Sequence, residues 1–384
     1  MTRQRILFVD NNAVEASRRV LYRAVAAMGE YEVHLLVPAT WKEQGGVIDA
    51  EPEPDPRVHL HISPILFGHR QHRVVYCALA GVLRSVRPDL LFMDTEPENY
   101  SAAHARYVIR HVSPATRLAL VSSRNMDYRK LGFPYKAAFT HRWCDSLFLR
   151  HPADILYVRP HEGIPLLHGY SRHIAYLPHV IDCSVFTPDV DVRVPHEGFM
   201  IGYLGRLVPE KGLDILIRAC AMLPAHVRLI IAGKGPMRGE LELLTERTTM
   251  RDRVKFIDAI PYAQVPAFLR SLDVVALPSR PSAVWIEQFG RVLIEAMACG
   301  VPVVASTSGE IPTVLGGGGM LVPPGDVHAL GTALGMLSSS PERCREIGDA
   351  GRARAMAAFD APAVASRFLE VLRLVIPPLS PGGT

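Results

Sequence analysis

Between Leu277 and Ser306 the chain reads LPSRPSAVWIEQFGRVLIEAMACGVPVVAS, and no other stretch limits its fold as much. Arg291 to Cys299 is rich in good helix formers, and Gly300 suits a helix C-cap with Pro302 just beyond. An apolar run, Val274 to Leu277, leads in, and a second, Val301 to Ala305, leads out. Strand, loop, helix and strand in succession predict a parallel sheet covered by helices, an α/β fold. The same alternation runs through the rest of the chain. Strands are expected at 5–9, 32–37, 57–62, 89–93, 118–122, 154–158, 173–177, 199–204, 228–232, 254–257 and 320–322. Helices are expected at 13–28, 74–86, 134–149, from 213 on, and at 327–337, 341–358 and 361–375, with a loop at 38–56.

Two glutamates, Glu287 and Glu295, have seven residues between them, Phe289-Gly290 included. Gly290 falls where the loop becomes a helix, so free N–H groups and the positive end of the helix dipole make an anion seat. Glu295 lies roughly 7–8 Å further along the axis at about 1.5 Å per residue. One carboxylate can therefore meet a ligand on each side of a bound phosphate, and carboxylates accept well from vicinal hydroxyls. A hexose–diphosphate–ribose ligand has this layout. Either glutamate alone reads equally as a solvated loop acid or a salt-bridged helix acid. The pair at this spacing is more specific.

Upstream, a strand ends in Gly205-Arg206-Leu207-Val208-Pro209-Glu210-Lys211-Gly212, followed by an amphipathic helix carrying Leu213, Leu216, Ile217, Cys220 and Leu223 on one face. Gly205 lets a ligand approach the backbone. Arg206 and Lys211 can converge on one anion, the first as a planar fork and the second as a point charge. Gly233-Lys234-Gly235-Pro236 forms a turn after the next strand.

Together these residues resemble the E-x7-E motif and the Gly-Arg and Lys-Gly pair of retaining GT-B glycosyltransferases, family four (glycosyl transferases group 1). The resemblance implies two Rossmann-like domains facing a cleft, with a C-terminal helix crossing back to the first domain. The first would be an acceptor domain, 1–190 with 361–384, and the second a donor domain, 191–360. It implies catalytic roles for Glu287, Arg206 and Lys211. It implies donor contacts from Gly205, Glu295, Phe289, Gly290, Arg291, Val292 and Gly233. The implied reaction moves a hexosyl unit from a nucleotide diphosphate sugar, with UDP-sugar favoured over GDP-mannose, to a glycan, lipid-linked or small-molecule acceptor. No cofactor or metal is implied, since the two cations and the helix N-terminus would stabilise the leaving diphosphate.

The first half is less family-like. Ligands of open parallel sheets gather beyond the carboxyl ends of the strands. That directs attention to Asp10-Asn11-Asn12, to the loop holding Glu96 and Asn99, and to the loop holding Arg124 and Asn125. The four residues Glu96, Asn99, Arg124 and Asn125 are the acceptor-binding candidates. Asp, Asn and Ser also favour turns whatever the function. Asn11-Asn12 replaces a usual glycine pair, and the loop SSRNMD lacks the histidine many members carry there. The segment PHVIDCSVFTPD resembles the interdomain segment through Asp182, Phe186 and Pro188. The run 187–198 reads as the domain boundary. The histidine-rich run HLHISPILFGHRQH matches no metal-site spacing.

A net charge of +4 over 384 residues gives no footing for nucleic acid or for a strongly anionic membrane. Six scattered cysteines read as reduced thiols of a cytoplasmic protein. Arg3 to Val9 ends too soon in Asp10 for a signal peptide, and no apolar run reaches membrane-spanning length. A peripheral contact with the inner face of the membrane and the oligomeric state stay open. Two other readings stand beside transfer: a non-catalytic nucleotide-sugar-binding partner subunit, and a phosphorylase or epimerase on the same fold.

Overall fold

The computed structural model describes residues 3–43, 46–68, 73–127, 139–188 and 197–377. Packing divides the chain into two compact units, Met1–Val180 with Ala361–Thr384, and Ile181–Asp360. Ile181 belongs to the second because its N–H donates to the Phe359 carbonyl (2.9 Å). The Arg352 guanidinium holds the same turn through the Phe186 and Cys183 carbonyls. Residues 189–196 of the expected boundary run lie outside the described residues.

The first unit is a seven-stranded parallel sheet. Its strands are β1 (Gln4–Val9), β2 (Tyr31–Pro38), β3 (Val58–Ser63), β4 (Leu90–Met93), β5 (Arg117–Ser122), β6 (Ala153–Val158) and β7 (Ser171–Tyr176), in spatial order 3-2-1-4-5-6-7. Side chains alternate across a strand, so Ile6 and Phe8 enter one core while Leu7 and Val9 enter the other. A sheet buried on both faces needs continuously apolar strands, which the inner strands supply, while the edge strands β3 and β7 carry polar residues. The last helix, Ala361–Val375, belongs to this unit: Val364, Phe368 and Leu372 fill one core, and the Tyr157 hydroxyl donates to the Phe368 carbonyl (2.9 Å).

Three expectations for this unit change. The helix expected at 13–28 is split into short turns at Asn12–Val14 and Ala16–Arg18, then the helix Val20–Ala27. The cause is Arg19, fully buried, whose guanidinium takes the Ala13, Val14 and Glu51 carbonyls (2.7, 2.9 and 2.7 Å) and sits 3.2 Å from Glu53. Two of those carbonyls lie within the expected helix, and Glu15 turns extended. The loop 38–56 contains a hairpin, Thr40–Glu43 against Gly46–Asp49. The helix expected at 74–86 starts only at Leu79, after Val75–Tyr76 pairs with Ile65–Leu66. Of the helix expected at 134–149, Phe139–Arg150 is seen, and 134–138 lie outside the described residues.

The second unit is a six-stranded parallel sheet: β8 (Phe199–Leu204), β9 (Val227–Ala232), β10 (Val254–Ile257), β11 (Val274–Leu277), β12 (Val303–Ser306) and β13 (Met320–Val322). Its order is 10-9-8-11-12-13, so the winding reverses between β8 and β11. In the first unit it reverses between β1 and β4. Ligands of doubly wound sheets bind where the order reverses.

Candidate functional site

The loops that leave β8 and β11 carry six of the ten second-unit residues singled out from the sequence, and the sheet places these loops side by side. Lys211 and Glu287 meet here. The Lys211 ammonium lies 2.5 Å from a Glu287 carboxylate oxygen, with both side chains largely buried. The same oxygen accepts the Ser279 hydroxyl at 2.7 Å. Ser306, at the end of β12, hydrogen-bonds the Ser279 carbonyl and fixes that serine. Trp285 lies under the ammonium, 5.0 Å from ring centroid to Nζ, a cation–π contact. Ser279, Trp285 and Ser306 were not among the expected site residues, although Ser279 lies inside the LPS strand end that marked the stretch.

Gly309 sets the backbone of Glu287. Its φ is +54°, and a Cβ there would fall 2.0 Å from the Glu287 carbonyl oxygen, which also accepts the Glu310 N–H at 3.1 Å. A Gly309→Ala variant should therefore displace Glu287 and lose nucleotide-sugar binding. A strained left-handed residue costs about 1–3 kcal/mol, or roughly 2–4 °C of Tm per kcal/mol in a domain of this size. Normal donor binding by Gly309→Ala in a thermal-shift titration would show that Glu287 is held by other means.

Gly290 is the residue before the helix Arg291–Ala298, with φ 79° and ψ 57°. The helix opens there with no side-chain cap; the Leu293 N–H donates to the Gly290 carbonyl at 2.8 Å, and the N–H groups of Arg291 and Val292 precede any intrahelical acceptor. Glu295 is buried 3.7 Å from Arg291, which also reaches the Tyr262 hydroxyl at 3.5 Å. Phe289 and Val292 turn their side chains into the core, Phe289 edge-on to Phe359 at 5.7 Å, so only their backbones can serve a ligand.

Arg206 is exposed, and its carbonyl accepts the Tyr203 hydroxyl at 2.8 Å. Burial and the Glu287 charge raise the Tyr203 phenol above its ordinary value, while Arg206 opposes them. Tyr203 therefore feels both charges. The space beside Gly233 is taken by the protein itself: a Cβ there would fall 1.9 Å from the Gly205 carbonyl oxygen. Both glycines bring two loops together.

In the first unit, Glu96 hydrogen-bonds the Ser122 hydroxyl and accepts the Ser123 N–H at 2.6 Å. Burial, with the charge of Glu98 added, raises its carboxyl from 4.5 to about 8. Arg124 is buried and engaged by the protein, 2.7 Å from Glu98, 3.7 Å from Asp145 and over the Tyr170 ring. Those contacts tie its loop to the Glu98 loop, to the helix Phe139–Arg150 and to Tyr170, a structural role. Asn99 donates to the Thr95 hydroxyl at 3.1 Å as the helix Tyr100–Val112 begins, and Asn125 is buried in the next loop.

Sequence reasoning marked the two loops that meet at the switch point of this unit, those of Asp10 and Asp94, but missed Arg159. Arg159 grips Asp94 (2.6 and 3.1 Å) and reaches Ser123 (3.2 Å). Asp10, bonded to the Tyr22 hydroxyl at 2.7 Å, is raised to about 6 by burial and then by Asp94. The histidine run gathers with an earlier strand: His34 lies 3.0 Å from His61 and 2.9 Å from Glu32. Among the described residues no group of His, Cys, Asp and Glu is placed to hold a metal ion. Residues 69–72 of that run lie outside the described residues.

Two doubly wound parallel sheets, one with a lysine–carboxylate pair beside an open helix start at its switch point, define the GT-B architecture. Residues 189–354 match the family described as Glycosyl transferases group 1. A GDP-mannose-dependent alpha-(1-6)-phosphatidylinositol monomannoside mannosyltransferase of Mycolicibacterium smegmatis is 38% identical over 218 residues, 53% of this chain and 57% of that protein. A D-inositol 3-phosphate glycosyltransferase of Corynebacterium jeikeium is 32% identical over 223 residues, 52% of each chain. The chain thus spans about half the length of the curated relatives it matches. Among solved structures, sucrose-phosphate synthase from Thermosynechococcus elongatus shares the fold, with TM-score 0.72 and 22% identity over 97% of this chain and 99% of that one.

Proposed function

We propose that the protein moves a hexosyl unit from a nucleotide diphosphate sugar to an acceptor hydroxyl, with retention at the anomeric carbon. The observation that carries this is the Lys211–Glu287 pair at the switch point of the second unit, beside the open start of the helix Arg291–Ala298. In this reading the sugar hydroxyls take the place of Lys211 at the Glu287 carboxylate, which frees the ammonium for the diphosphate. Arg206, exposed at the end of β8, supplies the second cation. Glu295 receives the ribose. The bond from the anomeric carbon to the diphosphate breaks, the bond to the acceptor oxygen forms, and the acceptor proton passes to the departing phosphate. The two cations and the helix start carry the charge that grows on the leaving group, so no divalent ion is needed for it.

Four of the similar relatives are named as GDP-mannose-dependent mannosyltransferases. We therefore favour GDP-mannose as donor, which reverses the preference for a uridine sugar drawn from the sequence. The same names suggest a polyol or lipid-linked acceptor, received by the Glu96 and Asn125 loops of the first unit. A lipid-linked acceptor would bring the protein to a membrane surface. Among the described residues no helix is long and apolar enough to cross one.

Thermal-shift titration with GDP-mannose, GDP, UDP-glucose and UDP tests the donor. Selective ligands stabilise by RT ln(1 + [L]/Kd), about 2.7 kcal/mol at a hundredfold excess over Kd. The guanine ligands should raise Tm well above the uracil ligands. A panel in which no nucleotide sugar raises Tm would remove the reading altogether.

A further inference from the structure

The helices Tyr100–Val112 and Phe139–Arg150 of the first unit lie against each other and fill one core with Val108, Ile109 and Phe148. Arg106 sits over the Phe148 ring at 5.3 Å. Their outward sides expose large apolar groups: Tyr107 at 63%, Trp143 at 53% and Leu149 at 45%. Arg110, Arg142 and Arg150 stand exposed among them. Asp145 is the one acid in the two helix sequences, and it turns inward, accepting the Tyr170 hydroxyl at 2.5 Å and facing Arg124. The outward sides of the two helices are therefore cationic and aromatic, with no acid of their own.

We propose that this helix face seats the protein on a membrane surface rich in anionic lipid. Tryptophan and tyrosine settle at the headgroup level, where a ring is half apolar and half wet. Arginine keeps its stem in the apolar zone and its head at the phosphates. Each arginine near an anionic surface is worth about fivefold in partitioning. A protein partner fits less well, because interfaces between proteins form round a continuous apolar centre. Here the apolar side chains are set apart by arginines on two convex helices. The inference deepens the reading of a lipid-linked acceptor but rests on other residues, so vesicle binding and donor binding can fail separately.

The test is co-sedimentation of the full chain with vesicles of phosphatidylcholine alone or mixed equally with phosphatidylglycerol. Wild type should bind the anionic vesicles only and be released by high salt. An Arg110→Glu/Arg142→Glu variant should bind at least about tenfold more weakly, and Trp143→Ala more weakly than wild type. Both variants should keep the wild-type circular dichroism and donor thermal shift. Absence of binding to anionic vesicles at low salt would overturn the proposal. So would equal binding to neutral vesicles, or wild-type binding by the charge-reversed variant, which would point to another surface or a protein partner.

Discussion

Lys211→Ala should lose transfer and stability together, and Lys211→Ala/Glu287→Ala should recover the stability while transfer stays lost. The two losses have separate causes. Removing one partner of a buried ion pair leaves an uncompensated charge, at a cost of about 3–5 kcal/mol when the burial is complete. The small exposure of both side chains brings the expected cost toward the lower end. Glu287 keeps the Ser279 hydroxyl but loses its cation. Removing Glu287 as well abolishes the stranded charge, so the double variant should unfold at a higher temperature than Lys211→Ala. Turnover obeys a different rule. A group that stabilises charge only in the transition state is typically worth about 10²–10³ in kcat, and deleting the second residue cannot restore it. Unfolding midpoints and transfer rates for both single variants and the double form one cycle. If turnover returned with stability in the double variant, the pair would be a structural ion pair and the site would lie elsewhere.

The legible parts of the second unit rest on local signals. A helix start at Gly290 follows from its neighbours alone, and all six strands of that sheet were placed from apolar runs. The contact between Lys211 and Glu287 is different, because the two residues are separated by 76 positions. It depends on β8 and β11 becoming neighbours, and the winding reversal that makes them so is not written in any window of sequence. The expected division of labour, cation to phosphate and acid to sugar, therefore missed that each holds the other.

The first unit was harder to read for a related reason. A buried arginine overrules local propensity wherever its acceptors lie, and the acceptors of Arg19 are split between Ala13, Val14 and the distant Glu51 and Glu53. The helix pattern of residues 13–28 was real but lost to that network. Arg124 is held in the same way: as a loop cation it reads as a ligand contact, and in the fold Glu98, Asp145 and Tyr170 engage it from three segments. The Glu32, His34 and His61 cluster forms across β2 and β3, and strand register decides it.

Glu96→Gln should stabilise the protein at alkaline pH and leave it nearly unchanged in acid. The carboxyl is raised to about 8 in the folded protein from an ordinary value of 4.5, chiefly by burial. The native state thus keeps a proton that the unfolded chain releases, and folding stability falls as pH rises between those two values. Below pH 4.5 both states hold the proton and the penalty is absent. Glutamine copies the protonated acid: its carbonyl can accept the Ser123 N–H and its amide can donate to Ser122. The other shifted groups move in both proteins and cancel in the difference. Asp10, raised to about 6, loses stability in an overlapping window, and His34 and His61, lowered by burial, lose it toward acid. The quantity to measure is the Tm of the variant minus that of wild type across pH 5 to 9. It should climb through the range, by several degrees at about 2–4 °C per kcal/mol. A flat difference would mean that Glu96 is ionised throughout and that Ser122 and Ser123 bind a carboxylate.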